Sequence, residues 1–518
     1  MQYAFAIDHR KCIGCHACTV ACKTEHEVPL GSFRTWVKYV ERGAFPDTRR
    51  FFTVLRCNHC TTAPCVPICP TTALIKRADG IVDFDKDRCI GCKSCMQACP
   101  YDAIYIDPNT NTAAKCNFCA HRVEVGLEPA CVIVCPERAI IAGDVDDPKG
   151  EIARLIGREQ VQVRKPEQGT GPNVYYIGAD SASLAPTDIA RGQGYLWAQS
   201  QMDRGLSGGN PLSGWTPPGG ADVRGMLGRV TYDVHHPAPW GWKVALYLWT
   251  KGIAAGALLV PCLLIGLGLT ADLPVLGVWA PLLALVFNGI TAALLIADLK
   301  RPERFHYILT RGNWGSWLVK GAYILLAHGG ASALWLILAW MGQGTLLRFL
   351  AWPGALVALA AAGYTAFLFG QAEGRDLWQS PLFLWHLLAQ AVLTGSGALL
   401  LSAVAIAAVA RLVGLLSGLL TCGLILNTLL LVGELFCTPP NRDVAAAEAL
   451  IRRGRFAPAF WGGMVGVGSA LPLVLLLATR AWTGDAPLAA ATAALLTLGG
   501  LIIHEVVFVR AGQAVPLS

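Results

Sequence analysis

The chain has 518 residues and a formal net charge of +7 at pH 7, and this length exceeds that of one ordinary domain. A basic balance can indicate nucleic-acid binding, but much of the positive charge here lies between long apolar segments, so we expect no nucleic-acid partner. Sixteen of the 19 cysteines lie between Cys12 and Cys135, whereas beyond residue 243 the sequence consists of runs of Leu, Ala, Val, Ile and Gly. These features predict a cysteine-rich head joined to a membrane domain.

The head is predicted to occupy residues 1–180, where strand-like segments alternate with cysteine loops. These segments are Ala4–Ile7, Thr53–Leu55, Ile81–Phe84 and Ala103–Ile106. The cysteines form four quartets: Cys12, Cys15, Cys18 and Cys22; Cys57, Cys60, Cys65 and Cys69; Cys89, Cys92, Cys95 and Cys99; Cys116, Cys119, Cys131 and Cys135. A C-x2-C-x2-C loop surrounds three corners of a cubane cluster, and the fourth cysteine binds the other cluster of a pair. The spacing therefore predicts an α+β, double-ferredoxin-like head with four [4Fe–4S] clusters.

Structural zinc is the alternative for these cysteines, because C-x2-C pairs also bind zinc. Zinc sites usually combine two such pairs, and they need neither the third cysteine nor the fourth. Disulfides are not expected, because the first residues show neither a secretion signal nor a twin-arginine pair, which favours a reducing compartment. The head contains no nucleotide-binding or hydrolytic motif, so the pattern predicts electron transfer without substrate chemistry.

Residues 181–235 are rich in Gly, Ser and Pro, which predicts an irregular linker with a short helix near Tyr195–Met202. Residues 236–518 are predicted to form an all-α membrane domain of eight spans. The apolar segments are 243–269, 278–297, 316–340, 346–370, 382–408, 412–433, 458–478 and 486–509. A tight turn around Arg411 separates the fifth span from the sixth, and seven spans are the alternative count.

An even number of spans places both ends of the membrane domain on one side. Loops on the head's side contain ten basic residues: Lys300, Arg301, Arg304, Arg311, Arg375, Arg442, Arg452, Arg453, Arg455 and Arg510. Loops on the far side contain three, namely Arg348, Arg411 and Arg480. Because basic loops remain in the cytoplasm, we expect a multi-pass protein of the inner (cytoplasmic) membrane with its head on the cytoplasmic side.

Ionisable residues within the spans are costly, and here they gather near the head's side. They include Lys251, Asp298, His386, Glu434, His504 and Glu505, with Arg301 just beyond the second span. Such a pocket suits a quinone headgroup, whose reduction needs two electrons and two protons. The structural alternatives are an Asp298–Arg301 ion pair, a Lys251 side chain that extends to the membrane surface, and bundle histidines at His386 and His504. Paired haem-ligand histidines are missing from the sequence pattern, so we expect no haem.

With its four quartets and the segment VRKPEQGTGPNVYYIG (Val163–Gly178), the head resembles the four-cluster subunits of dimethyl-sulfoxide, polysulfide, tetrathionate and nitrite reductases and of cytoplasmic sulfite dehydrogenases. The resemblance implies a separate catalytic subunit with a molybdopterin or tungstopterin site. It also favours nested pairing of the quartets over pairing of neighbours. Nested ligand sets are Cys12, Cys15, Cys18 with Cys135; Cys116, Cys119, Cys131 with Cys22; Cys57, Cys60, Cys65 with Cys99; and Cys89, Cys92, Cys95 with Cys69.

The second half resembles the NrfD and polysulfide-reductase membrane anchors. The resemblance rests on Trp240–Ala257, Asp298–Phe305, Gly363–Gly370 and Leu377–Leu382, in that order among eight spans. It implies a menaquinone or ubiquinone site near the head. Family members use a histidine before the first span and a tyrosine in the fourth, which correspond here to His235 or His236 and to Tyr364. The alternative for Tyr364 is an interfacial aromatic residue.

Together these features predict the electron-transfer and membrane-anchor subunit of a quinone-linked molybdenum or tungsten oxidoreductase, working in the quinone-reducing direction. One alternative is a quinol-oxidising reductase subunit of the polysulfide, thiosulfate or dimethyl-sulfoxide type. Another is a redox-driven proton pump, for which His328 and Asn427 are the mid-membrane candidates. A third is a passive anchor that binds no quinone.

Overall fold

The computed structural model describes residues 1–43, 46–188, 228–270, 272–482 and 486–518. The strands of the head are β1 (Tyr3–Asp8), β2 (Thr35–Arg42), β3 (Arg49–Arg56), β4 (Leu74–Lys76), β5 (Val82–Phe84), β6 (Ile104–Asp107), β7 (Thr112–Lys115), β8 (Ile140–Asp144), β9 (Val161–Gln162), β10 (Val174–Ile177) and β11 (Arg229–Tyr232). Short helices follow the cysteine loops or cover the sheets: Ala17–Glu25, Ser94–Ala98, Ala120–Val123, Ala130–Ile133, Glu151–Arg158 and Ser181–Leu184. The predicted α+β head is confirmed.

The strands form four small sheets. The largest has the order β8-β1-β10-β9, with β1 parallel to β10 and antiparallel to β8. β1 and β10 occupy its centre because their sequences are apolar on both faces, and Phe5 and Val174 are fully buried. β4 with β5 and β6 with β7 form two antiparallel pairs beside the cysteine loops. The core of the head is therefore built around cysteine side chains.

The segment predicted as an irregular linker contains ordered elements at both ends. Ser181–Leu184 is a short helix that Asp180 caps through the amide of Ala182. β11 pairs with β2 in a three-stranded sheet, where Val230 lies opposite Val40. The chain thus contributes a last strand to the head directly before it enters the membrane domain. The short helix predicted near Tyr195–Met202 lies outside the described residues.

Eight helices are long and apolar enough to cross a membrane, which confirms the predicted count within the described chain. They are Trp242–Gly266, Pro274–Asp298, Trp317–Trp340, Gly344–Gly370, Phe383–Ser402, Val413–Glu434, Pro458–Ala481 and Pro487–Gly512. The second and seventh begin with π-helical turns, at Leu273–Trp279 and Pro458–Ala470. Tyr307–Thr310, Ala407–Ala410 and Arg442–Arg452 are shorter helices between spans, and the sixth helix continues to Phe436. Ala407–Ala410 occupies the tight turn that separates the fifth span from the sixth.

The first span lies at the centre of the bundle and contacts the second, fourth, fifth and eighth. Its approach to the fifth span is close enough for backbone contact, because Gly256 faces Gly395 across the crossing. A Cβ atom on Gly256 would collide with the carbonyl oxygen of Ala391 and with the backbone of Gly395. Small residues allow helices in membranes to pack this tightly, so the crossing depends on both glycines.

We expect Gly256→Ala to lower the free energy of unfolding by about 1–3 kcal/mol, because the added methyl group must separate the first and fifth spans. Thermal unfolding of the detergent-purified chain measures the change. Gly289→Ala is the matched control, since a Cβ atom there meets nothing within 4 Å. Equal behaviour of the two variants would contradict backbone contact at this crossing.

Candidate functional site

The structure brings the sixteen cysteines of the head into four groups, and each group combines three cysteines of one quartet with one of another. The distal group contains Cys12, Cys15, Cys18 and Cys135; the second group Cys22, Cys116, Cys119 and Cys131; the third group Cys57, Cys60, Cys65 and Cys99; the proximal group Cys69, Cys89, Cys92 and Cys95. The distal and proximal groups each line a small internal space. This grouping corresponds to the nested pairing, and ligation itself stays a prediction.

The spacing and the burial of the cysteines both bear on what each group could bind. Four thiolates about 2.3 Å from one zinc ion must lie within about 4 Å of each other. In the described ranges, no three His, Cys, Asp or Glu side chains come close enough to hold a single ion. Burial raises the pKa of Cys60, Cys92 and Cys116 to about 12, so a bound cation rather than solvent would have to stabilise their thiolates.

The four groups follow one another in a line. Cys18 of the distal group lies within electrostatic range of Cys131 of the second, and Cys116 of the second lies within range of Cys57 of the third. Cys65 of the third group likewise lies within electrostatic range of Cys95 of the proximal group. The order is therefore distal, second, third and proximal.

A buried arginine lies between the first two groups of this line. Arg56 is 1% exposed, donates from Nη1 to Cys131 Sγ at 3.1 Å, and lies over the Phe5 ring at 4.3 Å. Burial alone would lower the pKa of its guanidinium, but the sulfurs of Cys131, Cys116 and Cys18 raise it above its ordinary value. Its positive charge therefore remains in place beside both groups.

The proximal group is the one that lies against the membrane domain. Backbone amides of Lys300 and Arg301 donate to the carbonyls of Gly91 and Ile90, both at 3.2 Å. Gly91 has a φ of +66°, and a Cβ atom there would meet Lys300. Side chains from the membrane domain also donate to the carbonyls of three proximal cysteines: Trp240 Nε1 to Cys92 at 3.4 Å, Asn313 Nδ2 to Cys69 at 3.0 Å, and Arg304 Nη1 to Cys89 at 3.0 Å.

A cavity of about 430 Å³ lies beside this contact, with His235, His236 and Lys300 in its lining. His236 Nδ1 lies 2.6 Å from Asp102 of the head, and Nε2 lies 3.4 Å from Asp233. Burial by itself would lower the pKa of His236, but the carboxylates of Asp102 and Asp233 raise it to about 9. His236 is therefore protonated at neutral pH and forms an ion pair, whereas His235 is exposed.

A second set of polar groups lies inside the membrane domain, on the head's side. Lys251 Nζ donates to the Ala362 carbonyl and to Thr365 Oγ1, both at 2.6 Å, and lies 5.1 Å from the centre of the Tyr364 ring. Tyr247 lies within electrostatic range of Tyr364. We call Tyr247, Lys251, Tyr364 and Thr365 the polar cluster; none is more than 4% exposed.

A glycine of the third span leaves room for the Tyr364 ring, because a Cβ atom on Gly321 would overlap it. At 1.5 Å per residue, Tyr364 lies about 9 Å and Lys251 about 14 Å inside the helix ends that face the head. The cluster is therefore a polar site at shallow depth, between the first, third and fourth spans.

Two comparisons with known proteins agree with this arrangement. The family description "Polysulphide reductase, NrfD" matches residues 232–516, and "4Fe-4S dicluster domain" matches residues 48–145. The first match covers more than half of the chain. The chain belongs to the polysulphide reductase NrfD family.

The head of this NrfD-family chain is similar to iron–sulfur subunits of reductases. A tetrathionate reductase subunit of Salmonella typhimurium is 47% identical over 202 residues, which are 38% of this chain and 80% of the relative. Arsenate respiratory reductase iron-sulfur subunit ArrB of Shewanella sp. is 36% identical over 225 residues, 34% of this chain and 96% of the relative. Thiosulfate reductase electron transfer subunit PhsB of Salmonella typhi is 42% identical over 177 residues, which are 34% of this chain and 91% of the relative.

Two of the structural alternatives from the sequence are wrong. Asp298 pairs with Lys93 of the head at 2.7 Å, while Arg301 donates to the Thr110 carbonyl and contacts Glu303, so the expected Asp298–Arg301 pair does not form. Lys251 is 1% exposed and does not extend to the membrane surface, because acceptors of the fourth span hold its ammonium group inside the bundle.

The predicted quinone residues fall in separate places in the NrfD-family domain. His236, Asp298 and Arg301 lie at the contact with the head, whereas Tyr364 lies in the polar cluster. His386 lies in the fifth span, where Nε2 is 3.2 Å from Glu434 Oε2.

Several residues of these sites were missed in the sequence, and two of them gave a weak signal there. Arg56 could have been noticed as a charged residue at the end of the apolar strand β3, directly before Cys57. Tyr247 lies one helical turn before Lys251 on the same face of the first span, and this spacing was the available signal.

The ion pair of His236 predicts a pH-dependent contribution to stability. Because the folded-state pKa is raised from 6.5 to about 9, the contribution is full below about pH 6.5 and disappears as the pH rises through about 9. It amounts to at most about 3 kcal/mol. Thermal unfolding between about pH 6 and pH 10 should show a steeper loss of stability for the unmodified chain than for His236→Gln.

His235→Gln is the control for this measurement, because His235 is exposed and should leave the pH dependence unchanged. A His236→Gln variant with the same pH dependence as the unmodified chain would contradict the ion pair.

Proposed function

We propose that the chain transfers electrons through four [4Fe–4S] clusters between quinone in the membrane and a separate molybdenum or tungsten catalytic subunit. The observation that supports this most directly is the series of four cysteine groups, in which the loop of the proximal group is hydrogen-bonded to the membrane domain. Each group offers the four sulfur ligands of one cubane cluster, and each cluster would accept and release one electron. The sixteen quartet cysteines are the proposed ligands.

Quinone is proposed to bind at the polar cluster. The Tyr364 hydroxyl and the Lys251 ammonium are the hydrogen-bond donors that a quinone carbonyl needs, and both lie within the apolar bundle on the head's side. The proximal group is hydrogen-bonded to the segment that follows the second span, so the last cluster and the polar cluster would both lie on the head's side of the membrane domain. His236, Asp298 and Arg301 would fix this contact, and they would not bind the quinone directly.

The catalytic partner is proposed to bind at the distal end of the head. Large apolar side chains are exposed next to the distal cysteines Cys12 and Cys135, among them Ile13, Ile133 and Val134. Exposed apolar patches of this kind are typical of protein interfaces. The relatives are named as subunits of reductases, which supports a molybdopterin or tungstopterin partner for this chain as well.

The head is proposed to lie on the cytoplasmic side of the inner membrane, because the loops on its side contain most of the basic residues. Three of these residues, Arg301, Arg304 and Arg375, donate to the head, so part of the asymmetry serves docking. A cytoplasmic head favours quinone reduction. The second candidate is quinol oxidation for a reductase, which the names of the relatives favour.

Metal analysis of the detergent-purified complex tests the cluster assignment. We expect about 16 iron atoms per chain and molybdenum or tungsten in proportion to a co-purified large subunit. Zinc at the cysteines, or iron far below this value, would refute the four-cluster head.

Quinone reactivity tests the membrane site. Tyr364→Phe should slow electron exchange between the reduced clusters and a short-chain quinone analogue by roughly tenfold or more, because one hydrogen bond to the headgroup is lost. Tyr323→Phe is the matched control, since Tyr323 lies in the third span at the bundle surface and donates to the Leu309 carbonyl. Stopped-flow absorbance of the clusters measures both. Equal rates for the two variants would show that Tyr364 does not bind the quinone.

The direction of electron flow is measured on the same preparation. Rapid cluster reduction by quinol, together with turnover of tetrathionate, arsenate or thiosulfate by the complex, would establish the reductase role instead of the quinone-reducing one.

The position of Arg56 between the distal and second groups predicts that its charge raises the reduction potentials of both clusters. A positive charge favours the reduced, more negative cluster, so Arg56→Met should lower the potentials at the distal and second groups by roughly 50–100 mV. Redox titration followed by electron paramagnetic resonance measures the shift. Arg56→Lys, which keeps the charge, should restore most of it. A shift at the proximal group alone would contradict the placement of Arg56.

A further inference from the structure

Ionisable side chains form a row from the head-side surface of the membrane domain into the bundle. The row begins at Glu434, whose side chain is 26% exposed at the end of the sixth span. Its Oε2 atom lies 3.2 Å from Nε2 of His386, which is buried in the first turn of the fifth span. Glu448, on the helix that follows the sixth span, lies within electrostatic range of Glu434. The outer end of the row is therefore acidic and accessible from the head's side.

The row continues on the eighth span. The His386 ring stacks on the His504 ring, with centroids 6.3 Å apart and an angle of 29° between the planes. His504 Nδ1 lies 3.1 Å from Gln390 Nε2 and 3.5 Å from Glu505 Oε1. A water molecule between the two rings would complete the hydrogen-bonded connection.

The inner end reaches the polar cluster. Glu505 is 3% exposed and lies within electrostatic range of Lys251 and Tyr247. In the part of the chain that the structure describes, Glu505 Oε2 has no hydrogen-bond partner. A buried carboxylate oxygen must find a donor, so water or a bound molecule is needed between Glu505 and the cluster. The chain therefore places a series of ionisable groups from Glu434 to Lys251, and water would connect the two histidines and would connect Glu505 with the polar cluster.

We infer that the row Glu434, His386, His504, Glu505 and Lys251 is the path by which protons pass between head-side solvent and the quinone, an inference that rests on the function proposed above. A membrane anchor has no need of five ionisable groups along one route within its helices, since each is costly there. Quinone reduction takes two electrons from the clusters and two protons through this row, and forms the two O–H bonds of the quinol. Quinol oxidation returns the same protons and electrons in reverse. The far side of the membrane supplies none of them.

The test uses the full chain in proteoliposomes. A limiting amount of dithionite, which does not cross the bilayer, is added outside and reduces only the chains whose heads face outward, and a short-chain quinone is added after the dithionite has been consumed. Cluster reoxidation by quinone is followed by absorbance, and a pH-sensitive dye trapped inside reports protons taken from the far side. We expect Glu434→Gln to slow reoxidation by roughly tenfold or more, with iron content and cluster spectra unchanged. Glu373→Gln, a head-side glutamate outside the row, is the matched control and should react at the normal rate.

Chemical rescue separates proton transfer from structural damage. A small carboxylic acid such as acetate should restore much of the rate of Glu434→Ala, because it can carry protons to His386, whereas a structural defect would not respond. Alkalinisation of the trapped dye during quinone reduction would overturn the inference, and so would normal rates for both Glu434→Gln and His386→Gln. Unmodified chains whose reduced clusters fail to react with quinone would refute the proposed function itself and the row with it.

Discussion

Backbone hydrogen bonds from Lys300 to Gly91 and from Arg301 to Ile90 hold the cysteine loop of the proximal group against the membrane domain. Electron transfer slows steeply with distance, so the fold must keep this contact close. Because main-chain atoms form it, the separation is determined by the helix end at Asp298 and by the tight loop at Gly91. The neighbouring ion pair of Lys93 with Asp298 then supports a geometry that the backbone already defines.

The local features of the molecule could be predicted from the sequence, because they depend on residues close to each other along the chain. Cysteine spacing indicated the cluster loops, and the long apolar runs indicated all eight spans. The partners of single polar residues could not be predicted in the same way. Asp298 pairs with Lys93, and Lys251 donates to Thr365, and each pair is more than a hundred residues apart in the sequence. The alternatives that the sequence offered were a pair of Asp298 with the nearby Arg301 and a Lys251 side chain that extends to the membrane surface.

Buried positive charge has different consequences in the two halves. Arg56 remains charged at any accessible pH, so its burial is sustained only by the sulfur-rich groups around it, and it acts as a fixed electrostatic bias. Lys251 can exchange its proton, and the acceptors around it come from the fourth span. A fixed charge suits a step that moves electrons, whereas an exchangeable one suits a step that moves protons.

The joining of head and membrane domain in one chain does not create their contact. The interface contains the ion pair of Lys165 with Asp443 at 3.1 Å and the buried Arg375, which donates to Gln97. These are the satisfied, largely desolvated contacts that separate subunits also use. The relatives of the head match only about a third of this chain, so the same kind of head is found without the membrane half that follows here. Covalent linkage therefore raises the effective concentration of one part for the other, while the packed residues determine how they meet.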